Sequence, residues 1–234
     1  MQYSCFRCTS SAVSAVLLHR RQCYCNPVAA PVNTSSYRQL QAQQTRERIA
    51  AAARLLFAAR GYRATSMEAI AAEAGVAART VYTAFGAKRE ILSAICERWL
   101  EQARARELAE TALAEPDPVS RLRAAARWLR SLYAAGFDVA KLFEAASDDD
   151  VETRALLRAK LAGRNQVMDA MIASLDGALR VPVDQAQAIY RALAAPGVYG
   201  ELVVQSSWTD EAFENWVAHT LIRELLEPGP AASQ

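Results

Sequence analysis

From Thr45 onward the apolar residues of this 234-residue chain recur three and four positions apart, and no alternating run of β-branched residues interrupts them. That period leaves one architecture open, an all-α fold. A first helix over 45–60 carries Ile49, Ala53, Leu56 and Phe57 on one face and stops at Gly61. A second opens at Thr65 or Ser66, where Thr65 and Glu68 have the spacing of a capping box and Met67, Ile70 and Ala74 make the apolar face. Gly75 breaks it, and a third runs from about Ala77 to Phe85. Two short helices hinged on a glycine read as a helix-turn-helix.

The rest of the chain continues in the same period. A long helix is expected from Lys88 to about Ala114 with Ile91, Ile95 and Trp99 inward, ended by Pro116-Asp117-Pro118, whose last two residues suit the cap and first position of the next helix. That helix shows Val119, Leu122, Ala126, Leu129 and Tyr133 and closes at Gly136, and a short helix over 138–146 follows. Asp148, Asp149 and Asp150 put negative charge at the start of a helix reaching about Leu175; they are read as a solvated helix start rather than a metal site. Two elements over 184–206 and 210–226 complete the chain. Pro196-Gly197 kinks the first, and the second opens after Thr209 with Phe213, Val217, Leu221 and Leu225 on its stripe.

Charge is distributed unevenly. The net +2 conceals four Arg and no acid in residues 1–44, eight basic against four acidic groups in 45–92, and fifteen against twenty-one in 93–234. A basic front joined to an acidic back points to a polyanion as the partner of the front. At 52% hydrophobic and 22% charged residues the chain has the makings of a core, and its apolar runs are too short and broken for a membrane span.

Residues 1–44, with Pro27, Pro31 and a Gln-rich end, show no sustained period and are read as an extension without fixed structure. Cys5, Cys8, Cys23 and Cys25 lie there; the tight second pair speaks against four zinc thiolates, so neither a metal nor a cofactor is expected. The apolar piece Ala12–Leu18 has its basic residues after it, which is the wrong order for a secretory signal, and a cytoplasmic protein is expected. Cys96 stands alone on a helix as a small core residue. With only His19 and His219 and no phosphate-cradling Gly loop, no catalytic residue is assigned.

Placing Val81 at zero on the third helix, at about 100° per residue, puts Phe85 at about 40°, Tyr82 at about 100°, Arg79 at about 160° and Thr83 at about 200°. One face is core; the other presents a guanidinium, a phenol and a hydroxyl. Arg pairs with a guanine edge in the major groove, Thr meets a thymine methyl or a base edge, and Tyr reaches a phosphate. Lys88 adds charge where the next helix presents its amides.

These residues also stand in a known order. Ile70-Ala71, Ala74-Gly75-Val76, Thr80-Val81-Tyr82, Phe85 and Lys88 closely resemble the DNA-binding domain of TetR-family transcriptional regulators over residues 45–92. The resemblance implies a helix-turn-helix over Ser66–Phe85, with Ser66 among the DNA-facing residues, base contacts from Ala78, Arg79, Thr80 and Thr83, and phosphate contacts from Tyr82 and Lys88. Two departures stand out: Ala77 replaces a common capping Ser, and Ala84 replaces a His or aromatic.

By the same resemblance, 93–228 is similar to the family's helical effector-binding and dimerisation domain, leaving 229–234 as a tail. The implied partners are a partly palindromic double-stranded DNA operator, a second copy of the chain through residues 184–226, and a small apolar or aromatic effector. Trp99, Trp128, Tyr133, Phe137, Phe143, Met168 and Met171 are the candidate lining. The implied activity is transcriptional regulation, most often repression released by effector.

Overall fold

The computed structural model describes residues 34–145, 151–175 and 177–226. Their elements are α1 (Thr34–Arg60), α2 (Met67–Glu73), α3 (Ala78–Phe85), α4 (Lys88–Gln102), α5 (Ala105–Ala114), α6 (Pro118–Ala145), α7 (Val151–Ala173), α8 (Val183–Leu193), α9 (Pro196–Tyr199), a π-helical segment Gly200–Gln205, and α10 (Asp210–Leu225). Among the described residues the one sheet-like feature is an isolated antiparallel bridge between Leu179 and Leu226. The fold is all-α, and no described helix is long and apolar enough to cross a membrane. The four N-terminal cysteines, the Asp148–Asp150 run and the tail 229–234 lie outside the described residues.

α1 begins at Thr34, well before the expected 45. Residues 36–44 are exposed throughout, so this part of the helix buries nothing and leaves no apolar period to read. It is held by backbone propensity and by local bonds: Thr45 Oγ1 donates to Gln41 O and Gln43 Nε2 to Glu47 Oε1. At the other end Gly61 takes φ +83°, the left-handed stop expected of it.

Sequence reasoning made one helix of Lys88–Ala114, but the chain breaks at Arg104, which adopts φ 50° and ψ 37°. The break lets α5 fold back onto α6, where Ser131 Oγ donates to Ala103 O and Trp128 Nε1 to Ala105 O. No Gly or Pro marks the site, since tertiary bonds rather than local preference offset the left-handed turn. The expected domain boundary at 92/93 falls inside α4, so one continuous helix joins the front of the molecule to the back.

Gly136 does not end its helix. α6 runs through it to Ala145 with a kink, and the carbonyl of Leu132, freed by that kink, accepts Trp99 Nε1 of α4 at 2.6 Å. Asp117 caps the start of α6 as expected, its Oδ2 accepting Ser120 N–H at 2.8 Å. Those amide bonds hold the Asp117 carboxyl below its ordinary range. Thr209 caps α10 in the same manner through Ala212 N–H.

One apolar cluster runs through the molecule from Ile49 to Leu226. In front, Ile49, Phe57, Ile70, Val81 and Phe85 of α1–α3 meet Ile91, Leu92 and Ile95 of α4. Behind, Tyr133 and Phe137 of α6 pack against Tyr199 and Phe213 with centroids 4.9–6.3 Å apart. Cys96 is buried within this core, and burial pushes its thiol up to about 11. That environment suits an inert packing residue.

Candidate nucleic-acid interface

α2 and α3 meet across Gly75, which takes φ +64° and so makes the tight turn that a side chain would strain. The N-cap of α2 is Ser66, whose Oγ accepts Ala69 N–H at 3.1 Å. Thr65, the other expected candidate, is buried and donates instead to Gly61 O at 2.8 Å, tying off the end of α1. Glu68 therefore closes no capping box with it; its Oε1 accepts the Tyr82 hydroxyl at 2.9 Å. Backbone and Tyr82 hydrogen bonds hold the Glu68 carboxyl low, and the same pair raises Tyr82. The effect is to fix the direction in which the phenol of α3 points.

α3 divides as its period predicts. Val81 and Phe85 are buried, whereas Arg79, Tyr82 and Thr83 are exposed and Ala78 and Thr80 half-buried. Five of the seven nominated residues thus share one helix, and Ser66 opens the helix beside it. Lys88 behaves differently: its ammonium donates to Tyr62 O at 2.8 Å and Thr65 O at 3.1 Å and lies 4.3 Å above the Tyr62 ring centroid. It holds the α1–α2 loop against the start of α4.

Ala77 caps α3 with no side-chain hydrogen bond, so the departure noted in the sequence leaves the amides of the first turn open. Ala77→Ser is expected to stabilise the protein by about 0.5–1 kcal/mol, measured as a raised urea midpoint at unchanged slope. At the C-terminal end, Arg46 of α1 donates to Ala84 O and lies 4.1 Å above the Phe85 ring. A cation there satisfies a terminal carbonyl and meets the negative end of the helix. Sequence reasoning missed Arg46, because nothing in its local spacing signals a contact 38 residues away.

The front unit is tied to the bundle at two further points beside α4 itself. Arg54 of α1 makes a two-pronged bond to Asp138, Nε–Oδ2 2.6 Å and Nη2–Oδ1 2.5 Å, just past the Gly136 kink. Arg54 holds the Asp138 carboxyl below its usual range.

Of the candidate effector lining, Trp99, Trp128, Tyr133, Phe143, Met168 and Met171 are buried and Phe137 is half-buried. Three of the aromatics use their polar atoms on backbone carbonyls: Trp99 on Leu132, Trp128 on Ala105 and Tyr133 on Ala194. These seven side chains are core in this conformation. Space nearby is a cleft of about 120 Å³ between α6 and α7, lined by Phe143, Arg154, Leu157, Arg158 and Leu161.

A glycine-hinged helix pair with a polar, arginine-bearing outer face, mounted on a helical bundle, defines a DNA-binding regulator rather than an enzyme. Residues 49–95 match the model of the tetR family of bacterial regulatory proteins, and the chain is a TetR-family transcriptional regulator. Among solved structures it resembles FadR from Bacillus subtilis in complex with stearoyl-CoA, at 20% identity and TM-score 0.63, covering 75% of this chain and 97% of that one. It also resembles a putative transcriptional regulator from Saccharomonospora viridis in complex with choline, at 21% identity and TM-score 0.63, covering 80% and 100%. A putative TetR-family regulator from Syntrophomonas wolfei, at 21% identity and TM-score 0.63, covers 76% and 93%. Among curated proteins none matches.

Proposed function

We propose that this protein represses transcription from a partly palindromic operator and is released by a small apolar or aromatic effector. The observation that carries the reading is α3, whose one face is locked into the core by Val81 and Phe85 while Arg79, Tyr82 and Thr83 face outward. In this reading 45–92 is the DNA-binding domain and 93–228 the effector-binding and dimerisation domain, and the cytoplasm is the compartment. Ala78, Arg79, Thr80 and Thr83 address base edges, and Ser66 and Tyr82 address the backbone. Lys88 acts on DNA through the loop it holds rather than by direct contact with phosphate.

Dimerisation through 184–226 has its support in the apolar surface there: Val204 is 58% exposed and Trp208 36%, and Trp208 stacks edge-on against half-buried Trp216. Two copies joined on this face set two recognition helices on one duplex. Trp208→Glu is expected to leave the fold intact and to convert a sedimenting dimer to monomer. A dimer unchanged in mass would move the interface elsewhere.

Effector action has its support in the neighbours that hold stearoyl-CoA and choline and in the links through α6. A ligand opening the α6–α7 cleft works on the helix that holds Trp99 of α4 and Arg54 of α1. Binding one spacing of the recognition helices better than the other then shifts the population off DNA.

Selection of bound duplexes from random DNA by the full chain tests the reading. Enrichment of a two-fold related site, then its release by a small molecule, is the expected result; no enrichment would overturn it. On the selected site, Arg79→Ala is expected to lose about 1–3 kcal/mol and to relax preference at particular base pairs. Loss spread evenly over all sequences would assign Arg79 to phosphate instead.

A further inference from the structure

α7 buries one stripe, Thr153, Leu157, Met168, Met171 and Ile172, against the bundle. Steps of seven, four and three residues from Leu157 to Arg164, Met168 and Met171 place Arg164 on that stripe. A guanidinium therefore occupies a position where every neighbour along the helix is packed core. Its Nε is shielded from solvent and has no hydrogen-bond partner. Its Nη2 reaches only the neutral side-chain oxygen of Asn165, at 3.3 Å.

The carboxylates around it are engaged elsewhere. Asp169 of the same helix pairs with Arg191, Glu97 with Lys160, and Glu144 of α6 with Lys141. The groups facing Arg164 from the core are phenols: its charge acts on both Tyr133 and Tyr190, opposing the rise that burial imposes on each. Both hydroxyls donate to backbone carbonyls, of Ala194 and Ala125. Phenols supply dipoles and no negative charge.

Arginine cannot shed its proton to escape such a place. A shielded, unpaired cation costs free energy that Met or Leu on the same stripe would avoid. The domain around it has an acidic balance, yet α7 carries Arg154, Arg158, Lys160 and Arg164 against Glu152 and Asp169. One helical turn before Arg164 stands Leu161, which with Leu157 and Phe143 lines the α6–α7 cleft, and exposed Arg154 and Arg158 line its mouth. Cations at the mouth draw an anion in, the apolar floor takes a hydrocarbon or aromatic body, and the inner guanidinium offers two parallel N–H donors to an oxyanion.

We infer that the effector is an amphipathic anion, its apolar body between α6 and α7 and its carboxylate or phosphate on Arg164. The inference rests on the reading of 93–228 as an effector domain and sharpens it, since that reading by itself names an apolar or aromatic molecule with no charge. Arg164 then does two things. It selects for the negative head, and by binding it replaces an unpaired interior charge with a paired one, a gain available only in the ligand-bound state.

Calorimetric titration of the full chain with octanoate, octyl phosphate and 1-octanol, which share one hydrocarbon tail, separates head from body. One or both anions are expected to bind at least about tenfold tighter than the alcohol, the scale of a charge-assisted hydrogen bond in fold-change. The tighter of the two identifies the head as carboxylate or phosphate. Arg164→Met is expected to abolish the preference for anions and to leave octanol binding in place. Should Arg164→Met not fold, Arg164→Gln, which keeps length and hydrogen-bonding capacity, decides in its stead. Equal binding of alcohol and anions by the native chain, or an anion preference that survives in both variants, would overturn the inference and leave the effector domain standing. Failure of all three to bind would remove the cleft as an effector site, and the inference with it.

Discussion

Phe213→Ala is expected to destabilise the helical bundle by about 3–5 kcal/mol, the largest effect of any single truncation considered. Phe213 is wholly buried and lies where three elements converge: its ring meets Tyr199 of α9 edge-on at 5.0 Å and Tyr133 of α6 at 6.3 Å. Tyr133 and Tyr199 are pinned in turn by hydroxyl bonds to Ala194 O and Asp210 Oδ1. With both neighbours fixed the site collapses poorly around a lost ring, which puts the cost at the upper end of the range for such changes. Differential scanning calorimetry should show a fall in melting temperature confined to the transition of the bundle. Because α10 borders the proposed dimer face, dimer mass should fall over the same temperatures. A change of a few tenths of a degree would mean that the cluster is not the keystone of the bundle.

Gly136→Ala is expected to cost about 1–3 kcal/mol by overpacking and, beyond that, to loosen the front unit from the back. A methyl group at this position would lie 2.6 Å from Trp99 Cδ1 and 3.2 Å from Arg54 Nη2. Trp99 has no room to retreat, being buried and bonded to Leu132 O. The indole must shift, and with it go the bonds by which α6 holds α4 and α1. Operator affinity measured with and without effector is the decisive readout, since a broken link reduces the difference between the two states rather than one affinity alone. The Arg54–Asp138 pair supplies an independent check. Asp138 is held below its ordinary range, so its contribution is present above the unfolded carboxyl value and is lost as pH falls through the lowered one. Both partners are partly exposed, 29% and 42%, which keeps that contribution small. An unaltered effector response in Gly136→Ala would place the coupling in α4 alone.

Much of the fold was legible because the chain announces its helices by what they bury. Ile70, Val81 and Phe85 were readable as core from spacing, and the outward set Arg79, Tyr82 and Thr83 followed from the same arithmetic. Asp117 and Thr209 were readable as caps because a side-chain oxygen beside a helix start has one good use. The failures share a cause. Residues 36–44 form helix without burying a face, so no period betrays them, and Arg104 turns left-handed at a residue with no local preference to do so. Gly136 was visible as an interruption, but whether a glycine ends a helix or bends it depends on what packs beside it, and that is Trp99.

The candidate interface divides along the same line. Residue type and helical phase nominated the face of α3. The uses of Lys88, Arg46 and Glu68 required the fold, because long side chains reach partners in other elements, and Lys88 turned out to serve three loop and ring partners instead of the phosphate expected of it. By itself, then, the sequence determined the all-α class, the helix-turn-helix and its outward face, since these depend on contacts at helical spacing that a linear pattern encodes. The tertiary structure decided how the two halves communicate and where charge is stranded. The break at Arg104, the kink at Gly136 and the unpaired guanidinium of Arg164 arise from neighbours far apart in the chain, which no local pattern specifies.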